Sequence, residues 1–298
     1  MLITKLGEFG LIERFNKQIK LDKTVIKGPG DDCAVIKFSK DRYMLLSCDM
    51  IVEGVDFLRG DNPYLIGHKA LAVSISDIAA CGGLPQYAVV SMAMPKKTSL
   101  LRADRVTKGI FDLARKYKVN IVGGDLSCAD KLIIDISITG FVEKKSLVLR
   151  SGAKKGDIIF VSGGLGGSCR GKHLSFTPRL KEARYLVNKY KINAMIDISD
   201  GLCQDLGHIL LSSRAGAILY EKLIPFSKSA KGLQDALYSG EDFELLFTAG
   251  HAQAKDIISN TTMPFMPIGE IVDRKYGLRI IDDKGGETKP DKQGFQHF

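Results

Sequence analysis

Midway along the chain, the turn-rich stretch EKKSLVLRSGAKKGD (143 to 157) separates two runs in which strand-like and helix-like patterns alternate. A chain of 298 residues broken in this way sits at the size where one core gives way to two. The boundary is placed near residue 145, giving an N-terminal unit of residues 1–145 and a C-terminal unit of residues 146–298. Upstream, YMLLSCDM and IDISITGF carry β-type patterns, and residues 65 to 81 and 101 to 117 read as helices. Downstream, IIFVSG, AMIDI, AILY and ELLFTAG read as strands, with helices at about 179 to 190 and 201 to 213. The fold class expected is α/β (α+β), in two domains, with no solenoid repeat.

Several function classes fall away on composition. An apolar fraction of 45% against 26% charged residues is that of an ordinary globular protein, and no apolar run reaches the roughly 20 residues of a membrane span. The opening MLITKLGEFGLIERF lacks the zones of a signal peptide, so a cytoplasmic location is the expectation. Six cysteines stand singly without a C-x-x-C pair, which argues against a zinc knuckle or a disulfide framework. The net charge of +9 permits an anionic partner. Its basic residues are scattered and Trp is absent, so neither nucleic acid nor a membrane is the expected partner.

Acidic residues recur at the joints between elements: Asp31 and Asp32 in GPGDDC, Asp49 in LLSCDM, Asp77 in SISDIAACGG, Asp125 in IVGGDLS, Asp197 and Asp200 in MIDISDG, and Glu241 and Asp242 in SGEDFELLF. Each has a structural alternative. Asp31 or Asp32 can close an Asx-turn after Gly30, Ser199 or Asp200 can cap the helix starting near Gly201, and Asp125 can sit in a Gly-Gly turn. Asp77 resists that reading, because at helical spacing it lies over Val73 and Ala70 on a stripe that faces the core. Asp49 and Asp197 end apolar strands, where α/β folds gather ligand chemistry. Two carboxylates about 4 Å apart repel by roughly 4 kcal/mol at an effective dielectric near 20, and a cation relieves that. Oxygen donors without nearby His or paired Cys favour magnesium, the usual companion of nucleotide phosphates.

The loop SGGLGGS (162 to 168) follows the strand IIFV and reads either as an anion cradle of backbone N–H groups or as a flexible turn. From Gly166, GGSCRGKH comes within one residue of a P-loop, but His173 stands where the metal-binding hydroxyl belongs. GPGDD lacks the dinucleotide spacing, and the scattered histidines with no G-x-S-x-G elbow give no nucleophilic triad.

Read in order, GEFGLIERF, GPGDDCAVI, SCDMIVEGVDF, HKALAVSISDIAACGGLPQ, IVGGDLS, RSGAKKGDIIFVSG, MIDISDGLCQDLGHIL, SGEDFELLFT and GFQHF resemble the thiamine-monophosphate kinases, part of the ATP-binding superfamily typified by aminoimidazole ribonucleotide synthetase. The resemblance covers nearly the whole chain. It implies an N-terminal α/β domain of ferredoxin-like layout, a C-terminal α/β domain, and a homodimer with ATP near the subunit boundary. It further implies transfer of the γ-phosphate of ATP to thiamine monophosphate. Several Mg2+ ions would be held by Asp32, Ser47, Cys48 or its backbone, Asp49, Asp77, Asp125, Asp197 and Asp200. Gly124, Asp125, Arg150 and Ser199 fall at nucleotide positions, and Asp56, Glu241 and Phe295 at substrate positions.

Three positions depart from the family pattern. Asp56 in EGVDF stands where a substrate-contacting His is usual, Cys48 replaces a hydroxyl residue, and Gly167 replaces an acid. A thiol is a poor magnesium ligand, so contact at Cys48 would use the backbone. Two rival readings are another ATP-dependent synthetase of the superfamily and a ligand-binding descendant without turnover.

Overall fold

The computed structural model describes residues 3–260, 262–290 and 294–295, so residues 296 to 298 of the terminal GFQHF lie outside the described residues. The first half runs α1 (Gly7–Asn16), β1 (Val25–Lys27), β2 (Ala34–Lys37), β3 (Arg42–Val52), α2 (Pro63–Ala80), β4 (Leu84–Met94), α3 (Leu100–Tyr117), β5 (Asn120–Cys128) and β6 (Ile133–Glu143). Its strands form one sheet in the order β1-β2-β3-β6-β4-β5, antiparallel except where β4 pairs with β5. Two helices cover one face, the layer plan of a ferredoxin-like domain, with the chain running β-α-β-α-β-β through its core. Alternation decides which side of each strand meets the helices: Ile134, Ile136 and Ile138 of β6 are all fully buried.

The local signals for the two helices are present. Asn62 caps α2, accepting from the Tyr64 N–H at 3.0 Å, and Pro63 occupies the first turn. Ser99 caps α3, accepting from the Arg102 N–H at 3.3 Å, and Lys118 in left-handed conformation ends it.

The second half runs β7 (Ile158–Val161), α4 (Lys172–Ser175), α5 (Leu180–Lys189), β8 (Ile192–Asp197), α6 (Leu202–Ser213), β9 (Gly216–Tyr220), α7 (Leu233–Tyr238), β10 (Leu245–Ala249), α8 (His251–Asn260), β11 (Met266–Val272), β12 (Leu278–Ile281) and β13 (Glu287–Thr288). The sheet order is β13-β12-β9-β11-β7-β10-β8. Helices lie on both faces: Ile159, Val161 and Leu246 meet α6 and α7, while Phe160, Leu245 and Phe247 meet α5 and α8. All five residues of β10 are therefore buried, which is why ELLFTAG reads as a continuous apolar run.

Helix α2 joins the halves. It packs on its own sheet and α3, and also against α4, α5 and β8. Thirteen of its eighteen residues are buried, so it is apolar nearly all round and carries no single solvent face. Its approach to α3 depends on two glycines facing each other. A Cβ on Gly67 would lie 1.9 Å from the Val106 carbonyl oxygen, and one on Gly109 would lie 2.0 Å from that of Tyr64.

Candidate active site

Strand β3 and helix α2 bring the first carboxylates together. In β3, Leu46, Cys48 and Met50 point outward, while Ser47 and Asp49 face α2. The Ser47 hydroxyl donates to the Asp77 carboxylate, and the Ser76 hydroxyl donates to Asp197 at the end of β8 at 2.5 Å. Oxygens of Asp32, Asp77 and Asp197 lie within 4.8 Å of one another. Asp49 borders the same group, its charge acting directly on Asp77.

Arg150 ties this cluster to the turn before β2. Its Nε and Nη2 donate to Asp32 Oδ1 at 3.1 and 2.6 Å, and its backbone N–H donates to Asp31 Oδ1 at 3.1 Å. Asp31 and Asp32 thus answer to a residue 118 or 119 positions away rather than to a local Asx-turn. The cap of α6 also differs from the sequence expectation. Neither Ser199 nor Asp200 supplies it; Asp205, one turn inside the helix, accepts from the Asp200 and Gly201 N–H groups at 3.0 and 3.1 Å. Asp200 is left facing the cavity described below.

Burial and mutual repulsion raise these acids. Burial lifts Asp49 to about 6, with Asp135 and Asp32 adding to it. Asp197 rises to about 7 through burial and the charge of Asp32. Asp31 rises to about 6 through burial and Asp32, and Asp77 is pushed well up by burial, Asp49 and Asp197. The buried Oδ2 atoms of Asp32 and Asp49 have no hydrogen-bond partner among the described residues. Buried carboxylate oxygens left over in a like-charged group fit a hard cation held by oxygen ligands.

Beside the cluster opens a cavity of about 440 Å³, whose lining includes Asp49, Asp56, Ser199, Asp200, Glu241 and Phe295. The Asp56 carboxylate accepts from the Val52 N–H at 2.7 Å, bracing its own turn. Phe295 is 45% exposed in the cavity wall rather than anchored in a core. Its backbone N–H donates to the Asp200 carbonyl at 3.1 Å, and its carbonyl accepts from Gln204 Nε2 at 3.0 Å. Glu241 and Phe243 adopt φ of 60° and 49°, left-handed values uncommon for side-chain-bearing residues. That turn aims Glu241 back toward α2, where it meets Lys69, a fully buried ammonium that the sequence reading missed. Its signal was a cation flanked at helical spacing by Ile66 and Val73.

Three further positions singled out in the sequence lie as follows. The Cys48 thiol lies on the outer face of β3, away from the cluster, because strand neighbours alternate. Gly124 and Asp125 sit on edge strand β5, three strand positions from β3. At about 4.8 Å per strand this is roughly 14 Å, so Asp125 does not join Asp49 within one chain. The SGGLGGS loop is also not an open anion cradle: Asp242 accepts from the Gly166 N–H at 2.8 Å and from the Ser168 hydroxyl. At Gly167, in left-handed conformation, a Cβ would lie 2.3 Å from the Ser229 carbonyl oxygen, so the acid usual in the family does not fit this backbone. A separate cavity of about 430 Å³ between α8 and β11 is largely apolar and holds no group of converging acids.

The comparisons with known proteins match this architecture. Residues 30–142 match the model for the AIR synthase related protein, N-terminal domain, and residues 134–281 that for the AIR synthase related protein, C-terminal domain. The thiamine-monophosphate kinase of Buchnera aphidicola subsp. Schizaphis graminum is 37% identical, covering 98% of this chain and 99% of its own. That of Rhodopirellula baltica is 40% identical, over 92% of each. A solved structure described as AaThiL complexed with AMPPCP and TMP superposes with a TM-score of 0.87 at 30% identity, covering 100% of this chain and 99% of that one. Matched by both family models and similar over nearly its full length to these proteins, the chain belongs to the thiamine-monophosphate kinase family of AIR synthase related proteins.

Proposed function

We propose that this protein phosphorylates thiamine monophosphate with ATP, forming thiamine diphosphate and ADP. The observation that carries the reading is the carboxylate group of Asp32, Asp49, Asp77 and Asp197, which reaches the cavity bounded by Glu241 and Phe295 through Asp49, in a chain similar over nearly its whole length to thiamine-monophosphate kinases. Asp32, Asp49, Asp77 and Asp197, with the Ser47 hydroxyl, are the residues that would hold magnesium; bound there it would offset phosphate charge and orient the oxygens for in-line transfer.

The chain's own groups do the rest by position and charge. Arg150, fixed on Asp32, places a guanidinium beside the cluster, where anionic phosphates gather. Ser199 and Asp200 line the floor of the cavity next to Asp49. The acceptor carries its own nucleophile, an ionised phosphate oxygen, so no side chain needs to remove a proton. Asp49, Asp56, Asp200 and Glu241 surround a cavity with Lys69 as counter-charge. That balance suits the cationic thiazolium ring, with Phe295 available to lie against it.

Gly124 and Asp125 fit the same scheme in a homodimer. The outward face of the six-stranded sheet exposes Met50, Tyr87, Val89 and Val122, a patch suited to pairing with a second copy. Across such a boundary Gly124 and Asp125 would serve the nucleotide or metal of the partner's site. Residues 1–145 would supply most metal ligands, and both units would contribute to the acceptor wall. A cytoplasmic location accords with a biosynthetic activity and with the lack, among the described residues, of any helix long and apolar enough to cross a membrane.

The test is chromatographic detection of thiamine diphosphate from purified protein, ATP, magnesium and thiamine monophosphate, with thiamine and chelator controls. Product only with the monophosphate and metal is expected. No product despite measured ATP binding would refute the assignment.

A further inference from the structure

Lys69 lies at the centre of the polar seam between the halves. It sits in α2 with only 1% of its surface exposed, among Ile66, Ala70 and Val73, an environment that ordinarily excludes an ammonium. Its Nζ donates to the Asp56 carbonyl oxygen at 2.7 Å and to the Glu241 carboxylate. One cation from α2 thus joins the loop after β3 to the left-handed turn before β10. Both segments, and Lys69 itself, line the same cavity. Asp56 and Glu241 come from opposite halves of the chain, and through Lys69 their relative position is set.

We infer that Lys69 is a specificity-determining positioning residue: it holds the Glu241 carboxylate and the Asp56 turn as one wall of the cavity, so that this wall meets a cationic acceptor. The inference rests on the reading that the cavity takes thiamine monophosphate. The charge order supports it. Burial pushes the Glu241 carboxyl up, Asp56 and Asp200 push it further, and Lys69 is the group that opposes them. The backbone supports it as well, since a left-handed Glu241 stays in place only when surrounding contacts over-determine it. ATP binding, assigned to Arg150 and the carboxylate cluster, should not depend on this pair.

The decisive experiment is calorimetric binding of thiamine monophosphate and, separately, of a non-hydrolysable ATP analogue with magnesium, to wild type, Lys69→Met, Lys69→Arg, Glu241→Gln and the Lys69→Met/Glu241→Gln double variant. Lys69→Met should weaken thiamine monophosphate about 10-fold or more, a loss of roughly 1.4 kcal/mol, while the ATP analogue changes less than about 3-fold. Lys69→Arg should recover part of the loss. The double variant should be little worse than either single one, because both remove the same wall. Should Lys69→Met not fold, Glu241→Gln still decides, since unchanged acceptor affinity there overturns the inference. Equal weakening of both ligands, or losses that add in the double variant, would also overturn it and leave Lys69 a stability residue. Wild-type binding is read without turnover, so failure of the kinase reaction would count against the functional reading while the affinity ratios still decide the role of Lys69.

Discussion

Asp32, Asp77 and Asp197 converge with Asp49 beside them, only Asp32 being paired to Arg150, and their mutual repulsion has a thermodynamic consequence. Asp49 near 6 and Asp197 near 7 lie above their unfolded value of 3.8 because burial and neighbouring acids disfavour ionisation. Between these values the folded state binds more protons than the unfolded one, so stability falls as pH rises. In a chelator, the melting temperature should therefore drop between about pH 5 and pH 7.5, by an amount reflecting a few kcal/mol at most. Magnesium should reverse most of the drop at pH 7.5 and little of it at pH 5. Scanning calorimetry with and without the ion checks this. Asp77→Asn should raise the chelated protein's melting temperature at pH 7.5 while removing turnover, since it deletes one of the repelling charges. At this scale the sequence was informative about which acids are unusual but not about their partners. Asp77 was legible from its place on an apolar helical stripe, whereas Ser76 pairing with Asp197 joins residues 121 positions apart.

At the scale of elements, α2 decides whether the site exists. It carries Lys69, Ser76 and Asp77, and it is seated by the crossing with α3 at Gly67 and Gly109. A methyl group at either glycine must displace backbone, not a flexible side-chain end. Gly67→Ala or Gly109→Ala should cost about 3 kcal/mol, read as a lower urea midpoint. Activity should fall beyond what unfolding explains, because α2 shifts against β3 and β8. The helix was legible over residues 65 to 81 from its apolar density, and its cap from Asn62-Pro63 is a local signal. Its function as the shared wall of two units was not, because a helix apolar all round does not say which surfaces will cover it.

At the scale of the molecule, the exposed apolar face of the six-stranded sheet and its open edge at β5 accord with association. The protein should sediment at twice the chain mass. Val122→Glu, on a residue 61% exposed in one chain, should shift it toward monomer with little loss of monomer stability and a large loss of turnover, as analytical ultracentrifugation and the product assay together would reveal. A change that leaves both mass and turnover intact would refute the proposed dimer.

Periodicity and turns are local, and they were sufficient for two α/β halves, for α2, α3, α5 and α6, and for the strand ending in Asp197, whereas β3 runs past Asp49 to Val52. The ordered acidic motifs identified the family and the carboxylates, because such a site needs those residue types at the ends of those elements. Pairings across the seam were decided only in three dimensions: Arg150 with Asp32, Ser76 with Asp197, and Lys69 with Glu241. The distance of Asp125 from Asp49 and the outward turn of Cys48 were decided there too. Strand order, alternation across a sheet and contacts between remote segments arise from how whole layers pack, and no stretch of sequence contains both partners of such a contact.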